Sequence, residues 1–302
     1  MAQRILVAGH SGQLARALAS VPLPGGFALE CRGRESLDLM DPARTIREVA
    51  QSGVDIVINA AAYTAVDKAE SEPDLAFRLN RDGAAALAEG AASCGAALIH
   101  ISTDYVFDGT KPAPYREDDP VGPVSVYGAS KEAGERVVRE RIDRHVVLRT
   151  AWVYSPSGEG SFVRTMLRLG AERPELRIID DQHGTPTGAG DAARAMIAIA
   201  AAIAAGKSDG YGTFHYCNTG STTRFGQAKF IFDWLAAHGH KVPRLTPIPT
   251  SAYPMPARRP ANSVLDCGRI GEVYGILPRA WEVSMAECLS EIMAAGGTKD
   301  LT

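Results

Sequence analysis

Short apolar runs alternate with amphipathic stretches through the first half of the chain. Ile5-Leu6-Val7-Ala8 is a β-rich run that stops at a glycine loop, and a helical pattern follows through Leu14 and Leu18. Residues 27–31 read as a second strand. A helix begins near Asp41-Pro42, where an acidic cap precedes a proline suited to the first helical turn. Ile56-Val57-Ile58-Asn59 is a third strand, nearly all apolar, as a central parallel strand must be. A long helix follows Pro73, carries Asn80 inside it and ends near Gly95. Residues 98–102 form a fourth strand, a helix contains Tyr127, and residues 146–150 form a fifth strand. Strands and helices joined by mostly short links predict an α/β fold built on a doubly wound, Rossmann-type parallel sheet.

The rhythm loosens after residue 155. Helices are expected over 161–169, 190–205, 225–238 and 284–295, with a strand at 177–179 and dense prolines over 241–260. This mixed pattern predicts a smaller α/β domain, C-terminal and interleaved with the sheet domain, that closes over a cleft. The expected division gives residues 1–155 plus about 189–238 to the sheet domain, and about 156–188 plus 239–302 to the smaller one.

Composition changes this picture little. The chain has 302 residues, a formal net charge of −3 and an ordinary apolar fraction, which gives no reason to expect nucleic acid as a partner. Its five cysteines are scattered without a Cys-x-x-Cys, so neither a disulfide framework nor a zinc site is expected, and a cytoplasmic setting fits. No secretory leader is expected, because the first apolar run is broken at Gly9. The alanine-rich stretch over 195–205 is too short to span a bilayer.

The candidate chemistry lies at the carboxyl ends of the expected strands, where ligands of α/β sheets bind. Gly9-His10-Ser11-Gly12-Gln13-Leu14 joins strand to helix. Its glycines admit a pyrophosphate, and the helix start offers N–H donors and a positive dipole end. The acidic residue suited to adenosine ribose hydroxyls is Glu30, 21 residues after Gly9, which favours NAD; Arg32 and Arg34 follow it and suit a 2′-phosphate, which favours NADP. Small residues at Ala60, Ala61 and Ala62, running into Tyr63 and Thr64, would let a flat cofactor lie against the backbone. The fourth strand delivers Thr103 and Asp104 to the same edge, and His100 within it reads as a packed core residue. Tyr127 and Lys131 are four residues apart, hence on one face of their helix. An ammonium beside a phenol should lower the tyrosine pKa from its usual value of about 10, preparing it to protonate a carbonyl oxygen under reduction. Alone, the pair could equally be an exposed stripe.

Taken together, these stretches identify a resemblance. The glycine loop, Asn59-Ala60-Ala61-Ala62-Tyr63-Thr64-Ala65-Val66-Asp67, Ser102-Thr103-Asp104-Tyr105, Tyr127 with Lys131, Arg149-Thr150-Ala151-Trp152, Gly184-Thr185-Pro186-Thr187 and Arg259-Pro260-Ala261-Asn262 run the whole chain. They resemble the extended short-chain dehydrogenase/reductases and, within that group, the dTDP-4-dehydrorhamnose reductase family. The resemblance implies NADPH- or NADH-dependent reduction of the C4 keto group of dTDP-4-dehydro-6-deoxy-L-mannose to dTDP-L-rhamnose, for surface polysaccharide. It implies that Tyr127 protonates the C4 oxygen, Lys131 supports it and holds the nicotinamide ribose, and Thr103 polarises the carbonyl. It also implies that Gly12, Gln13 and Leu14 cradle the pyrophosphate, with Asp38, Leu39 and residues 62–64 lining the cofactor site. Asp104 and Trp152 would touch the deoxysugar, and Arg259 is the candidate for the nucleotide half.

Two departures matter. Related dehydratases carry a glutamate after Thr-Asp, where this chain has Tyr105. Some relatives resemble magnesium-bridged dimers whose glutamates fall at Ala17 and Gly190 here, so no metal is expected, and a monomer or weak homodimer is. The alternatives are an NADP-binding regulatory subunit on the same fold, or a reductase or epimerase of another nucleotide sugar.

Overall fold

The computed structural model describes residues 2–157 and 160–296. Along the chain, β1 (Gln3–Ala8), α1 (Gln13–Ser20), β2 (Phe27–Arg32), α2 (Pro42–Ala50) and β3 (Ile56–Asn59) come first. A short α3 (Val66–Ala69) precedes α4 (Pro73–Phe77), which runs through a π turn at Arg78–Asp82 into α5 (Gly83–Cys94). Then come β4 (Ala97–Thr103), α6 (Val126–Arg141), β5 (His145–Thr150) and β6 (Val153–Tyr154). The rest comprises α7 (Phe162–Glu172), β7 (Glu175–Ile179), β8 (His183–Gly184), β9 (Thr187–Gly188), α8 (Ala189–Ala204) and β10 (Gly212–His215). Last are β11 (Thr222–Thr223), α9 (Arg224–Ala237), β12 (Arg244–Ile248), α10 (Gly268–Tyr274) and α11 (Trp281–Ala294).

Six strands form one parallel sheet in the order β10-β5-β4-β3-β1-β2. The doubly wound expectation holds, and strand order reverses between β1 and β3. Alternation along each strand feeds two cores. Ile5 and Val7 pack with α1, α8 and α10 on one face, while Leu6 and Ala8 pack with α2, α5 and α6 on the other. Gly95 ends α5 in the left-handed conformation that glycine adopts without strain.

A further core gathers Tyr154, Val163, Met166, Leu176, Phe232, Leu235, Met285 and Leu289 from β6, α7, β7, α9 and α11. Two stretches therefore pack differently from the expected ranges. Helix α9, expected with the sheet, presents Ile231, Phe232 and Leu235 to this second core. Helix α10, expected with the smaller domain, packs Ile270 on the sheet. Neither β10 nor β12 was expected. The first is a four-residue edge strand, and the second contains Pro247, which an edge position tolerates because it need not donate to a neighbour. Among the described residues, no helix is long and apolar enough to cross a membrane.

Candidate active site

The strand-order reversal between β1 and β3 opens a cleft at the carboxyl edge of the sheet, as such switch points do. Gly9 follows β1 at φ +127°, and a Cβ there would meet the Ala60 carbonyl carbon at 3.3 Å. Only glycine suits that backbone, and it brings the two strand ends together. Helix α1 starts at Gly12 with no side-chain cap and no acidic residue in its first turn, so its positive end faces the cleft uncompensated. Gln13 accepts a hydrogen bond from Ser155 Oγ at 3.0 Å and so ties the loop to the segment after β6. The cleft encloses about 1650 Å³, lined by Gly9, Ser11, Gly12, Gln13, Leu14, Asp38, Leu39, residues 60–64, Thr103, Tyr127 and Lys131 among others. One small-molecule pocket typically takes roughly 300–1000 Å³, so two ligands have room end to end. A bare helix start, close-approach glycines and alanines, and basic residues in the lining fit a phosphorylated dinucleotide.

One expected cofactor residue is misplaced. Glu30 is not among the residues that line the cleft and is clamped by Arg32, Nε to Oε1 at 2.8 Å and Nη2 to Oε2 at 3.2 Å. It lies two residues short of the strand's carboxyl end, and the cleft opens beyond that end. Arg32, Gly33 and Arg34 line the cleft instead. Asp38 accepts from the Met40 amide at 3.0 Å, which shapes the adjoining turn.

Asn80 was expected inside a helix and given no role. It sits in the π turn, where Oδ1 accepts from the Tyr63 amide (2.8 Å) and Nδ2 donates to the Tyr63 carbonyl (3.1 Å) and to Ser130 Oγ (2.8 Å). Ser130 Oγ in turn donates to the Tyr127 carbonyl at 2.8 Å. One buried amide thus joins the residue 60–64 loop to the first turn of α6. A polar residue with poor helix propensity in the middle of a helix was the available signal.

Helix α6 is capped by Ser125, whose Oγ accepts from the Gly128 amide at 3.1 Å, and Glu70 accepts from the Val126 amide at 2.9 Å. A Cβ at Gly128 would overlap the Tyr105 carbonyl oxygen, so glycine lets the helix start lie against the Thr103–Tyr105 turn. Thr103 ends β4 and donates from Oγ1 to Asp104 Oδ1 at 2.9 Å. Tyr127 is 9% exposed, and its ring meets Tyr105 edge-on at 5.6 Å. Lys131, 3% exposed, donates from Nζ to the Ile101 carbonyl at 2.6 Å.

The expected lowering of the Tyr127 pKa is not found. Burial raises it, the charges of Asp104 and Tyr105 add to the rise, and only the neighbouring Thr103 hydroxyl pulls the other way, while the Lys131 ammonium is turned to the backbone of β4. Burial also brings Lys131 down to about 8, against the pull of Glu135. Glu135 is fully buried and held down to about 2. Burial opposes this, but Arg149 outweighs it through Nε (2.8 Å) and Nη2 (2.7 Å), helped by Ser102 and Arg139. His100 is fully buried with its Nδ1 3.0 Å from Asn59 Nδ2, and burial holds it neutral, as a core residue.

On the opposite wall, Trp152 carries a left-handed backbone (φ 47°), strained for a non-glycine residue and located where such strain tends to be functional. Asp104 is buried, its Oδ2 has no protein partner, and burial pushes its pKa up to about 6. Arg259 lines the cleft with its fork on Asp67, Nη1 to Oδ1 at 2.9 Å and Nη2 to Oδ2 at 2.8 Å. Among the described residues, no three His, Cys, Asp or Glu side chains are grouped to hold a metal.

A doubly wound sheet with a glycine-rich βα turn at its switch point, and a threonine, tyrosine and lysine across the cleft, defines an extended short-chain dehydrogenase/reductase. The family model described as the RmlD substrate binding domain matches residues 3–294, and the chain belongs to that family. It is 42% identical over 294 residues to a dTDP-4-dehydrorhamnose reductase of Sinorhizobium fredii, covering 97% of this chain and 99% of that one. The crystal structure of a dTDP-4-dehydrorhamnose reductase from Clostridium acetobutylicum superposes with a TM-score of 0.88 at 35% identity, covering 96% of this chain and 100% of that one. That of a Bacillus anthracis dTDP-4-dehydrorhamnose reductase in complex with NADP gives 0.86 at 34% identity, covering 98% and 100%.

Proposed function

We propose that this chain reduces the C4 keto group of dTDP-4-dehydro-6-deoxy-L-mannose, giving dTDP-L-rhamnose. The carrying observation is the arrangement of Thr103, Tyr127 and Lys131 on one wall of a cleft whose other end is the bare start of α1. A bound nicotinamide cofactor supplies hydride to the carbonyl carbon. Everything else falls to the chain. The Thr103 hydroxyl orients the carbonyl oxygen. Tyr127, kept protonated by burial, gives that oxygen its proton, and the Lys131 ammonium would hold the nicotinamide ribose beside it. Gly9, Ser11, Gly12, Gln13 and Leu14 would hold the pyrophosphate, and Ala60, Ala61, Ala62, Tyr63 and Thr64 the flat part of the cofactor.

With Glu30 outside the cleft and Arg32 and Arg34 within its wall, NADPH is the favoured cofactor. The complete set of three catalytic side chains favours an enzyme over a cofactor-binding regulatory subunit. Tyr105, where a dehydratase has its carboxylate, favours reduction over dehydration. The free thiols at Cys31, Cys94, Cys217, Cys267 and Cys288 suit a cytoplasmic enzyme that acts on a soluble dTDP-sugar, as a monomer or weak dimer, without nucleic acid or membrane.

The test is an initial-rate assay on the 4-keto sugar with each nicotinamide cofactor. NADPH should give the higher kcat/KM, and Glu30→Ala should raise its advantage by freeing Arg32. Turnover with neither cofactor would refute the proposal.

A further inference from the structure

Four arginines line the cleft among the described residues: Arg32, Arg34, Arg224 and Arg259. Three are already matched by carboxylates. Arg32 is on Glu30 at 2.8 Å, Arg34 is 3.5 Å from Asp38, and Arg259 is on Asp67 at 2.8 Å. Arg224 alone has no carboxylate within the 4.0 Å of an ion pair. Its side-chain hydrogen bond is a long one, from Nη1 to Gln227 Oε1 at 3.4 Å. Its other polar neighbours are the Tyr105 hydroxyl, which stays neutral because burial raises its pKa, and Asp104, which is itself pushed up to about 6 by burial and so is a weak counter-ion.

Placement makes this cation unusual. Arg224 is the first residue of α9 and lies half-buried in the wall. Its guanidinium stacks 3.5 Å from the Trp152 ring centroid and lies 5.3 Å from that of Phe162. Trp152 holds its own position at the cost of a left-handed backbone, packed so closely on Gly184 that a Cβ there would overlap its ring. An arginine stacked on an aromatic face keeps its in-plane N–H donors free, in the fork that suits phosphate oxygens. A half-buried guanidinium stacked in a cleft wall, with only neutral hydrogen-bond neighbours and no carboxylate in an ion pair with it, is a site for an anion.

We propose that Arg224 is the diphosphate anchor of the nucleotide-sugar half of the cleft, with Trp152 as the platform that orients it. This rests on the reading of the cleft as a nucleotide-sugar site, and it gives the diphosphate to Arg224 rather than to Arg259, whose fork is taken by Asp67. The anchor fixes the distance between the diphosphate and the keto group that must reach Tyr127. It therefore acts on substrate position, and the proton transfer is left to Tyr127.

Isothermal titration with NADPH saturating keeps the cofactor's own phosphate site filled. Wild type, Arg224→Gln and Arg224→Lys are each titrated with dTDP, inorganic pyrophosphate and thymidine, and NADPH affinity is measured separately. Arg224→Gln should weaken dTDP and pyrophosphate at least about tenfold, the loss of one charge-assisted fork, and leave thymidine and NADPH unchanged. Arg224→Lys should fall between, since it keeps the charge and loses the fork. The proposal is overturned if wild type binds neither diphosphate, if dTDP affinity stays within about twofold in Arg224→Gln, or if all ligands weaken together in both variants. A wild type that binds dTDP but does not reduce the 4-keto sugar would refute the reductase reading and leave the anchor standing.

Discussion

Lys131 is where burial and chemistry pull against each other. Desolvation lowers its pKa to about 8, so the ammonium is present below that pH and lost above it. Tyr127 is shifted the opposite way and keeps its proton throughout. kcat/KM, which follows the free enzyme, should therefore fall above about pH 8 through loss of the Lys131 charge, not through ionisation of Tyr127. Lys131→Arg, whose charge does not titrate in this range, should flatten that limb even at reduced activity. A wild-type profile level to about pH 9.5 would contradict the assignment. These two residues were legible in the sequence because a four-residue spacing on a helix dictates a shared face. The direction of the Tyr127 shift was not, because burial by elements distant in the chain sets it, and the Lys131 ammonium is turned to a backbone carbonyl 30 residues away. Arg224 and Asn80 escaped for the same reason. Their partners lie across the fold, at Trp152 and at Tyr63 and Ser130, where no local spacing points.

At the scale of elements, α6 is held in register by a buried ion pair rather than by apolar packing alone. Glu135 on α6 and Arg149 on β5 are both almost fully desolvated, so each depends on the other. Arg149→Met leaves a buried carboxylate without its fork and should cost about 3–5 kcal/mol in urea unfolding. A loss under about 1 kcal/mol would show that Ser102 and Arg139 suffice. The Glu135 pKa is depressed below its unfolded value, so its contribution is present above about pH 4.5 and fades as pH falls toward about 2. The five long strands were legible from their apolar runs. The edge strands β10 and β12 were not, since four residues including a glycine, or five including a proline, carry no strand period. The placement of α9 escaped too, because apolar residues surround it and no single stripe says which core it faces.

For the whole molecule, the cleft takes its walls from both cores. The Gly9 loop, the Thr103 edge and α6 belong to the sheet, and Arg224 and Phe162 come from helices of the second core. The chain offers alanine at position 17 and glycine at 190, neither of which ligates a hard cation. Its mass by light scattering should therefore be the same with and without EDTA; an assembly that dissociates on chelation would contradict this. As proposed, the cleft brings one protonated phenol, that of Tyr127, to a sugar carbonyl. Tyr127→Phe removes only that hydroxyl, and it tests the claim directly when NADPH affinity and turnover of the 4-keto sugar are measured on the same preparation. NADPH should bind as in wild type while kcat falls on the order of a hundred-fold or more. A variant that binds NADPH normally and keeps a kcat within about threefold of wild type would show that Tyr127 is not the acid.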